Sequence, residues 1–206
     1  MWGMFHVKHE KLALAFPEAM PKLEAFVGWL AGAGIERGLL GPREVDKLWD
    51  RHVANCAAVA ELIPADSIVY DVGSGAGLPG IVLAIVRPDI KVSLIEPLLR
   101  RATFLSEVVA DLDLGDQVQV IRGRAEEVKL APADVVTARA VAPLAKLLEW
   151  TLPLTRKNGL VLAMKGSTAE QEILDAKSKL KGKNVEILQC GANLADPPTT
   201  VVQVTR

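Results

Sequence analysis

One stretch decides the fold: Ile68-Val69-Tyr70-Asp71-Val72-Gly73-Ser74-Gly75-Ala76-Gly77-Leu78-Pro79-Gly80-Ile81-Val82-Leu83-Ala84-Ile85-Val86. A short apolar run leads into four glycines within positions 73–80, and a second apolar segment follows. This pattern predicts a buried strand, a tight turn and the start of a helix. Glycines let the backbone approach a ligand, and the first N–H groups of a helix are unpaired. Because open α/β sheets bind ligands at the carboxyl ends of their strands, we predict a nucleotide-binding turn beside Asp71.

Two kinds of nucleotide cofactor fit this turn. Residues 75–80 satisfy the GxGxxG pattern of dinucleotide-binding proteins, and Glu96 follows about twenty residues later, as that pattern requires. A nicotinamide-dependent oxidoreductase is therefore one hypothesis. S-adenosylmethionine is favoured because Asp71 precedes Gly73 by two residues, and a carboxylate there suits the cationic amino acid end of that cofactor. Glu96 ends a second predicted strand, where its carboxylate can accept hydrogen bonds from both ribose hydroxyls.

Composition sets broad limits on the class of protein. The 206 residues are 50% hydrophobic, which is enough for one packed domain with an extension. No apolar run approaches the ~20 residues of a membrane span, and residues 1–9 lack a secretory apolar region, so we expect a cytoplasmic protein with no membrane partner. Cys56 and Cys190 have no metal-binding spacing and are expected to be buried. The formal charge of −1 means that any polyanionic partner must meet a local basic patch.

Hydrophobic periodicity places the remaining elements. Helices are predicted at 11–16, 21–33, 44–63, 79–86, 98–112, 143–155 and 168–181, and strands at 68–72, 91–95, 117–121, 133–138, 159–164, 184–189 and 200–205. The alternation of strand and helix from residue 67 predicts a mostly parallel seven-stranded sheet with right-handed crossovers. Because residues 191–198 are too few for a parallel crossover, the last strand should be antiparallel.

This arrangement is an α/β, Rossmann-like fold of the kind found in class I S-adenosylmethionine-dependent methyltransferases, and a dehydrogenase would not be expected to end in an antiparallel strand. Residues 1–62 are predicted to form an N-terminal helical extension that packs on a methyltransferase domain, residues 63–206.

Polar residues follow the other predicted strands at the same edge. Ala125 and Glu126 follow the third strand, where a backbone group and a carboxylate can bind adenine, although Glu126 also suits a helix start. Arg139 and Lys165 follow the fourth and fifth strands, and an arginine at this position favours a functional contact. Further cations fall on the same rim: Arg100, Arg101, Arg122 and Arg124. A basic rim on a nearly neutral chain favours a nucleic-acid substrate.

The helix predicted before the sheet carries another cationic group. Lys47, Arg51 and His52 fall together on one side of it, where they can contact substrate phosphates. For His52, a hydrogen-bonded histidine at the core boundary is an equal alternative.

Taken together, these residues resemble the RsmG family, also called GidB, the bacterial 16S ribosomal RNA guanine-N7 methyltransferases. The resemblance rests on residues 71–80, ending Leu-Pro-Gly, and on Glu96 with Arg101, Ala125-Glu126, Ala138-Arg139-Ala140, Lys165-Gly166 and residues 48–52. Residues 37–43 depart from the Asn-Leu-Thr motif of many members.

The resemblance implies specific site residues and partners. It implies cofactor contacts at Gly73, Leu78, Ala125, Glu126 and Arg139, with Glu96 on the ribose. Together with the glycine turn, the predicted S-adenosylmethionine-binding residues are Asp71, Gly73, Ser74, Gly75, Gly77, Leu78, Glu96, Ala125, Glu126 and Arg139. The predicted substrate-binding residues are Arg51 and His52 of the basic helix and Arg101, Arg124, Arg139 and Lys165 of the basic rim. The implied partner is 16S rRNA or a small-subunit assembly particle, bound by a monomer that needs no metal. A nucleotide-regulated RNA-binding module without catalytic activity is a further alternative.

Guanine N7 methylation requires little of the protein's side chains. N7 has a free in-plane lone pair and no proton to remove, so its attack on a sulfonium methyl group needs no general base. The expected contribution of the enzyme is placement and electrostatics, and we expect Arg139 and Lys165 to position the reactants.

Overall fold

The computed structural model describes residues 9–206, and seven strands within that range form one sheet. The strands are β1 (Ile68–Val72), β2 (Lys91–Glu96), β3 (Val118–Arg122), β4 (Ala133–Arg139), β5 (Thr155–Lys165), β6 (Asn184–Cys190) and β7 (Thr199–Thr205). Their order is β3-β2-β1-β4-β5-β7-β6, with β7 antiparallel to both of its neighbours and the pairs from β3 through β5 parallel. The predicted fold class is therefore confirmed, including the antiparallel last strand.

Helices cover both faces of this sheet. They are α1 (Glu10–Ala15), α2 (Met20–Trp29), α3 (Ala54–Ala58), α4 (Gly80–Val86), α5 (Leu99–Asp111), α6 (Leu144–Leu154), α7 (Ala169–Asp175) and α8 (Lys177–Leu180). None of the helices described in residues 9–206 is long and apolar enough to cross a membrane. Residues 1–9 were predicted to lack a secretory apolar region, and residues 1–8 of that segment lie outside the described residues.

Three predicted helices differ from those observed. The helix predicted at 21–33 is α2 followed by a π-helical segment, Leu30–Gly34. The helix predicted at 44–63 is a succession of a 3-10 segment (Pro42–Lys47), a π-helical turn (Leu48–Val53), α3 and a second 3-10 segment (Val59–Leu62). Apolar residues recur every three or four positions in all these helix types, so periodicity does not distinguish them. The helix predicted at 168–181 is interrupted at Ala176, whose ψ of 3° departs from α-helical geometry, and forms α7 and α8.

Alternation along the strands divides the core into two layers. Val69, Leu94 and Leu162 point to one face, where they share a cluster with Leu23 and Phe26 of α2 and with α4 and α5. Tyr70, Ile95 and Val161 point to the other face and pack with α6, α7 and α8. The described part of residues 1–62 is thus packed against the sheet, and the carboxyl ends of β1 to β5 remain free to form a site at one edge.

Candidate cofactor and substrate site

Two adjoining cavities open at the carboxyl edge of the sheet. The first cavity, about 470 Å³, lies over the loop after β1 and the ends of β2 and β3. The second cavity, about 1390 Å³, lies between the π-helical turn and the segment that follows β5. Of the described residues, Arg139, Ala140 and Val141 line both cavities. The volume of the first cavity is in the range of small-molecule sites, ~300–1,000 Å³.

The glycine loop forms the floor of the first cavity. Gly73 has a φ of +71° and donates its N–H to the carbonyl of Ile95 at 2.8 Å, which fixes the loop to β2. A Cβ at Gly73 would meet Cγ2 of Val141 at 2.9 Å, so a side chain there would close the gap between the loops after β1 and β4. Glycine at this position leaves the backbone exposed to a ligand.

Glu96 links the glycine loop to β2 and faces the first cavity. Its side chain is almost completely buried, and its two carboxylate oxygens accept hydrogen bonds from Gly75 N at 3.0 Å and Leu98 N at 2.9 Å. Each oxygen keeps capacity for a further hydrogen bond, because a carboxylate offers about four acceptor sites. Glu96 is therefore positioned by the backbone and able to accept hydrogen bonds from a diol.

Asp71 lies beneath the glycine loop and does not line either cavity. Its Oδ2 accepts a hydrogen bond from Gly80 N at 3.0 Å, whereas its Oδ1 is buried without a partner in the described structure. Burial raises the pKa of Asp71 from 3.8 to about 7, opposed by the Gly80 N–H and by the charge of Arg139. Gly77 is also buried and absent from the lining. Direct cofactor contacts by Asp71 and Gly77 stay predictions.

Asp71→Asn is expected to flatten the pH dependence of stability in the cofactor-free protein. The folded protein keeps the Asp71 proton up to about pH 7, whereas the unfolded chain loses it near pH 4. The free energy of unfolding of the wild type therefore falls as pH rises through this window, by up to roughly 1.4 kcal/mol per unit. Asparagine does not titrate, so this loss should be absent from the variant.

Urea unfolding at pH 5 and pH 8 measures the difference. Asp46→Asn, at an exposed position, is the matched control and should retain the slope of the wild type. An identical slope for wild type and Asp71→Asn would contradict the buried, protonated carboxyl.

Eight of the residues predicted to bind a cofactor line the first cavity. They are Gly73, Ser74, Gly75, Leu78, Glu96, Ala125, Glu126 and Arg139. Other residues that line the same cavity were not predicted to bind a ligand, among them Leu39, Leu40, Val141 and Trp150. Of these, only the residue type of Trp150 could have suggested a role from the sequence, because an aromatic ring is suited to stacking on a nucleotide base. The structure shows that this ring is half-buried and borders the cavity.

Arg101 and Arg124 line the first cavity, although both are predicted to contact the substrate. The Nε atom of Arg101 is buried without a partner in the described structure. Arg124 is exposed and lies 3.9 Å from Glu126, a distance at which a surface ion pair contributes little. These two arginines therefore line the first cavity, while the remaining predicted substrate residues line the second: Arg51, His52, Arg139 and Lys165.

Arg139 is held from the side of the second cavity. Its Nη2 lies 2.9 Å from Nδ1 of His52, and Nε2 of His52 lies 2.8 Å from Oε2 of Glu44. Glu44 also pairs with Lys47 at 3.1 Å and with the exposed Arg51 at 4.0 Å. Burial and the charge of Arg139 lower the pKa of His52, and the Glu44 carboxylate opposes that shift only in part.

Lys165 is part of a second ionic cluster. Its Nζ contacts Oε2 of Glu172 at 2.7 Å and donates to the carbonyl of Ala142 at 2.8 Å. The same Glu172 oxygen accepts a hydrogen bond from Leu144 N at 2.8 Å. Burial alone would raise the pKa of Glu172, but these partners lower it. Lys165 therefore fastens the loop after β4 to α7 in addition to lining the second cavity.

The cysteines and the acidic residues can be tested for two further kinds of site, a thiol nucleophile and a metal centre. Burial raises the pKa of Cys56 and of Cys190 to about 11, so neither thiol is an activated nucleophile. Within residues 9–206, no group of three or more His, Cys, Asp or Glu side chains could hold a metal ion.

A family model described as "rRNA small subunit methyltransferase G", named GidB, matches residues 19–196. The chain belongs to the GidB family. It is 57% identical over 180 residues to the ribosomal RNA small subunit methyltransferase G of Streptomyces avermitilis, covering 85% of this chain and 75% of that protein. It is 55% identical over 195 residues to the protein of the same name from Thermobifida fusca, covering 92% and 81%.

Solved structures share the fold at low sequence identity. A putative O-methyltransferase from Klebsiella pneumoniae superposes with a TM-score of 0.60 at 14% identity, covering 90% of this chain and 89% of that one. TYW2 of P. horikoshii, solved in complex with MeSAdo, superposes with a TM-score of 0.54 at 16% identity, covering 75% and 61%. GidB membership confirms the predicted methyltransferase family, and the nicotinamide hypothesis is not favoured.

The residues of the first cavity fit S-adenosylmethionine, the cofactor of such enzymes. The Gly73 backbone is open to a ligand where a Cβ would be blocked, Glu96 has acceptor capacity for ribose, and Trp150 offers a ring face for adenine. Oδ1 of Asp71 lies beneath the same loop without a partner in the described structure, but Asp71 lines neither cavity and burial favours its neutral form, so the fit does not depend on it.

Proposed function

We propose that this GidB protein transfers a methyl group from S-adenosylmethionine to N7 of a guanine in 16S rRNA of the small ribosomal subunit. The observation that carries the proposal is the continuity of the two cavities: a glycine-loop cavity with Glu96 meets a larger polar cavity at Arg139. One cavity suits the cofactor and the other is wide enough for a nucleotide. Guanine at N7 follows from the sequence resemblance.

The first cavity orients the cofactor through groups that are already fixed. When bound, S-adenosylmethionine supplies an electrophilic methyl group on a cationic sulfur. Glu96 is held by two backbone N–H groups, so it loses little side-chain freedom on accepting ribose hydroxyls. Gly73 and Ser74 offer backbone contacts along the loop, and Trp150 with Ala125 borders the base end.

The second cavity offers no free general base among the residues predicted to bind substrate. Nδ1 of His52 faces Arg139 and its Nε2 faces Glu44, so both ring nitrogens are occupied. Lys165 is paired with Glu172 and the Ala142 carbonyl. Guanine N7 requires no such base, because its lone pair attacks without loss of a proton. The residues bind and align the base, and water is excluded as RNA covers the cavity.

RNA binding is supported by the distribution of charge. The chain has a formal charge of −1, yet the carboxyl edge presents exposed cations at Arg51, Arg100, Arg122 and Arg124. Such a rim neutralises phosphates and gives binding that weakens as salt concentration rises. A guanine inside a folded RNA must be splayed out to enter the second cavity. We propose 16S rRNA or a small-subunit assembly particle as the partner of a cytoplasmic monomer that needs neither a metal nor a membrane.

Methyl transfer tests the proposal directly. Tritiated S-adenosylmethionine is incubated with the protein and with small subunits, or their 16S rRNA, from cells that lack this enzyme. The expected result is label on one guanine at N7. Label on another atom or another RNA, or none at all, would overturn the proposed function.

Arg139→Ala is expected to lower the rate of methyl transfer about ten- to a hundredfold, because a charge-assisted hydrogen-bonding group at the junction of the cavities is lost. Arg139→Lys keeps the charge without the planar fork and should recover little. The measurement is initial rates on small subunits, with RNA affinity by filter binding. Retained RNA affinity with lost transfer would exclude the binding-module alternative, and a rate within about twofold of wild type would contradict the role of Arg139.

A further inference from the structure

We propose that His52 is a positioning residue: as a neutral imidazole it accepts a hydrogen bond from Arg139 and holds that guanidinium at the wall between the two cavities. The inference rests on the proposed function for its catalytic consequence. The sequence left two alternatives for His52, contact with substrate phosphates and a hydrogen-bonded histidine at the core boundary, and the proposal develops the second. It also assigns to Glu44, which no sequence pattern singled out, the task of fixing the ring.

The hydrogen bonds determine where the His52 proton is. A guanidinium has donors only and keeps its charge in proteins, so Arg139 Nη2 must be the donor in its 2.9 Å contact with His52 Nδ1. Nδ1 therefore presents its lone pair. The single proton of the neutral ring lies on Nε2, which donates to Glu44 Oε2 at 2.8 Å. Geometry alone thus assigns the Nε2–H tautomer.

The same geometry makes the arrangement sensitive to protonation. A second proton would sit on Nδ1 and direct its N–H at the Arg139 guanidinium, so two donors would face each other without an acceptor. The charged groups facing His52 are Glu44 from the preceding 3-10 segment, Arg51 from its own turn and Arg139 from β4. Burial and Arg139 keep the pKa of His52 below its ordinary 6.5, so the ring is neutral at pH 7.

The places of His52 and Arg139 in the fold explain why their contact matters for the two cavities. Arg139 is the last residue of β4 and lines both cavities, whereas His52 is 87 positions away in the π-helical turn. His52 is 7% exposed and its turn packs against the core, so the acceptor presented to Arg139 is fixed. If the contact with His52 were lost, Arg139 would no longer be held in place and the reactants would be aligned less well. No proton transfer depends on this contact.

The first test needs no substrate. Nitrogen-15 NMR of the cofactor-free, full-length protein is recorded across pH, and the His52 signals are identified by substituting His6 and His9, the other two histidines of the chain. The expected spectrum has protonated Nε2, bare Nδ1 and a titration midpoint below pH 6.5. A proton on Nδ1 at neutral pH would overturn the proposal.

The second test separates positioning from substrate contact. His52→Asn places an amide oxygen near the Nδ1 position, where it can accept from Arg139 without titrating. His52→Leu removes the acceptor. We expect His52→Leu to lower kcat about tenfold with little change in KM for small subunits, and His52→Asn to recover much of that loss. The wild type should lose kcat on the acid side of the His52 titration, and His52→Asn should not.

Glu44→Gln is the matched variant for the hydrogen bond between Glu44 and the His52 ring. Glutamine still accepts from Nε2–H but lacks the negative charge that favours a protonated ring, so the acid limb should move to lower pH. A His52→Asn enzyme with the acid limb of the wild type would overturn the proposal, as would a change confined to KM. Wild type with the expected tautomer but no transfer to rRNA contradicts the proposed function alone.

Discussion

Glu96→Ala is expected to weaken binding of S-adenosylmethionine at least about a hundredfold, since two hydrogen bonds to a carboxylate would be lost from the ribose. The substitution also removes the acceptor of Gly75 N and Leu98 N, which hold the glycine loop and the start of α5 in place. The lost ribose hydrogen bonds weaken the bound state, and the loosened glycine loop adds a cost because it must be ordered on binding. Isothermal titration calorimetry of the cofactor-free protein measures the dissociation constant.

Two variants define what that result means. Glu96→Gln keeps the size of the side chain but turns one acceptor into a donor, which would face a backbone N–H, so we expect an intermediate loss. Glu186→Ala, exposed on β6, should bind like the wild type. Binding by Glu96→Ala within about threefold of wild type would place the cofactor elsewhere and remove the basis of the first cavity as its site.

The residues found by sequence reasoning share one property. Gly73, Glu96, Arg139 and Lys165 each lie at or just after the end of a strand that the local pattern predicts. Parallel strands bring their carboxyl ends to one edge, so locating the strands also located these residues relative to one another. This is why about half of the residues that line the first cavity were predictable from a single sequence.

Long-range contacts were not predictable in the same way. Leu39, Leu40 and Trp150 reach the first cavity from segments whose placement depends on packing, which local periodicity does not contain. The contact of His52 with Arg139 spans 87 positions, and its geometry depends on a π-helical turn that periodicity does not distinguish from an α-helix. Pairing of Lys165 with Glu172 likewise depends on where α7 packs.

Asp71 shows a different limit. The sequence places it at the end of β1 and predicts a contact with the cofactor, but its side chain points beneath the glycine loop to the start of α4. Strand alternation gives the face on which a side chain lies, whereas the path of the following loop decides whether that side chain reaches a ligand. A motif of this kind therefore identifies the turn more reliably than the role of each residue within it.

Gly80→Ala is expected to lower the free energy of unfolding by about 2–3 kcal/mol through overpacking. Gly80 is the first residue of α4 and is buried against Leu94 and Asp71. A Cβ there would overlap the Leu94 side chain, which is fully buried, and would lie 2.7 Å from Oδ2 of Asp71. Both neighbours are fully buried. Urea denaturation followed by circular dichroism measures the change, and the melting temperature should fall by roughly 5–10 °C.

Gly28→Ala is the matched control because it makes the same chemical change in α2, where a Cβ would have no heavy atom within 4 Å. Alanine favours a helix over glycine, so this variant should be as stable as the wild type or more stable by up to about 1 kcal/mol. Opposite signs for the two variants would show that glycine is required at position 80 by close packing and not by helix geometry. Equal stability of Gly80→Ala and wild type would mean that Leu94 and Asp71 can move apart, and the buried carboxyl beneath the loop would then be less constrained than the structure shows.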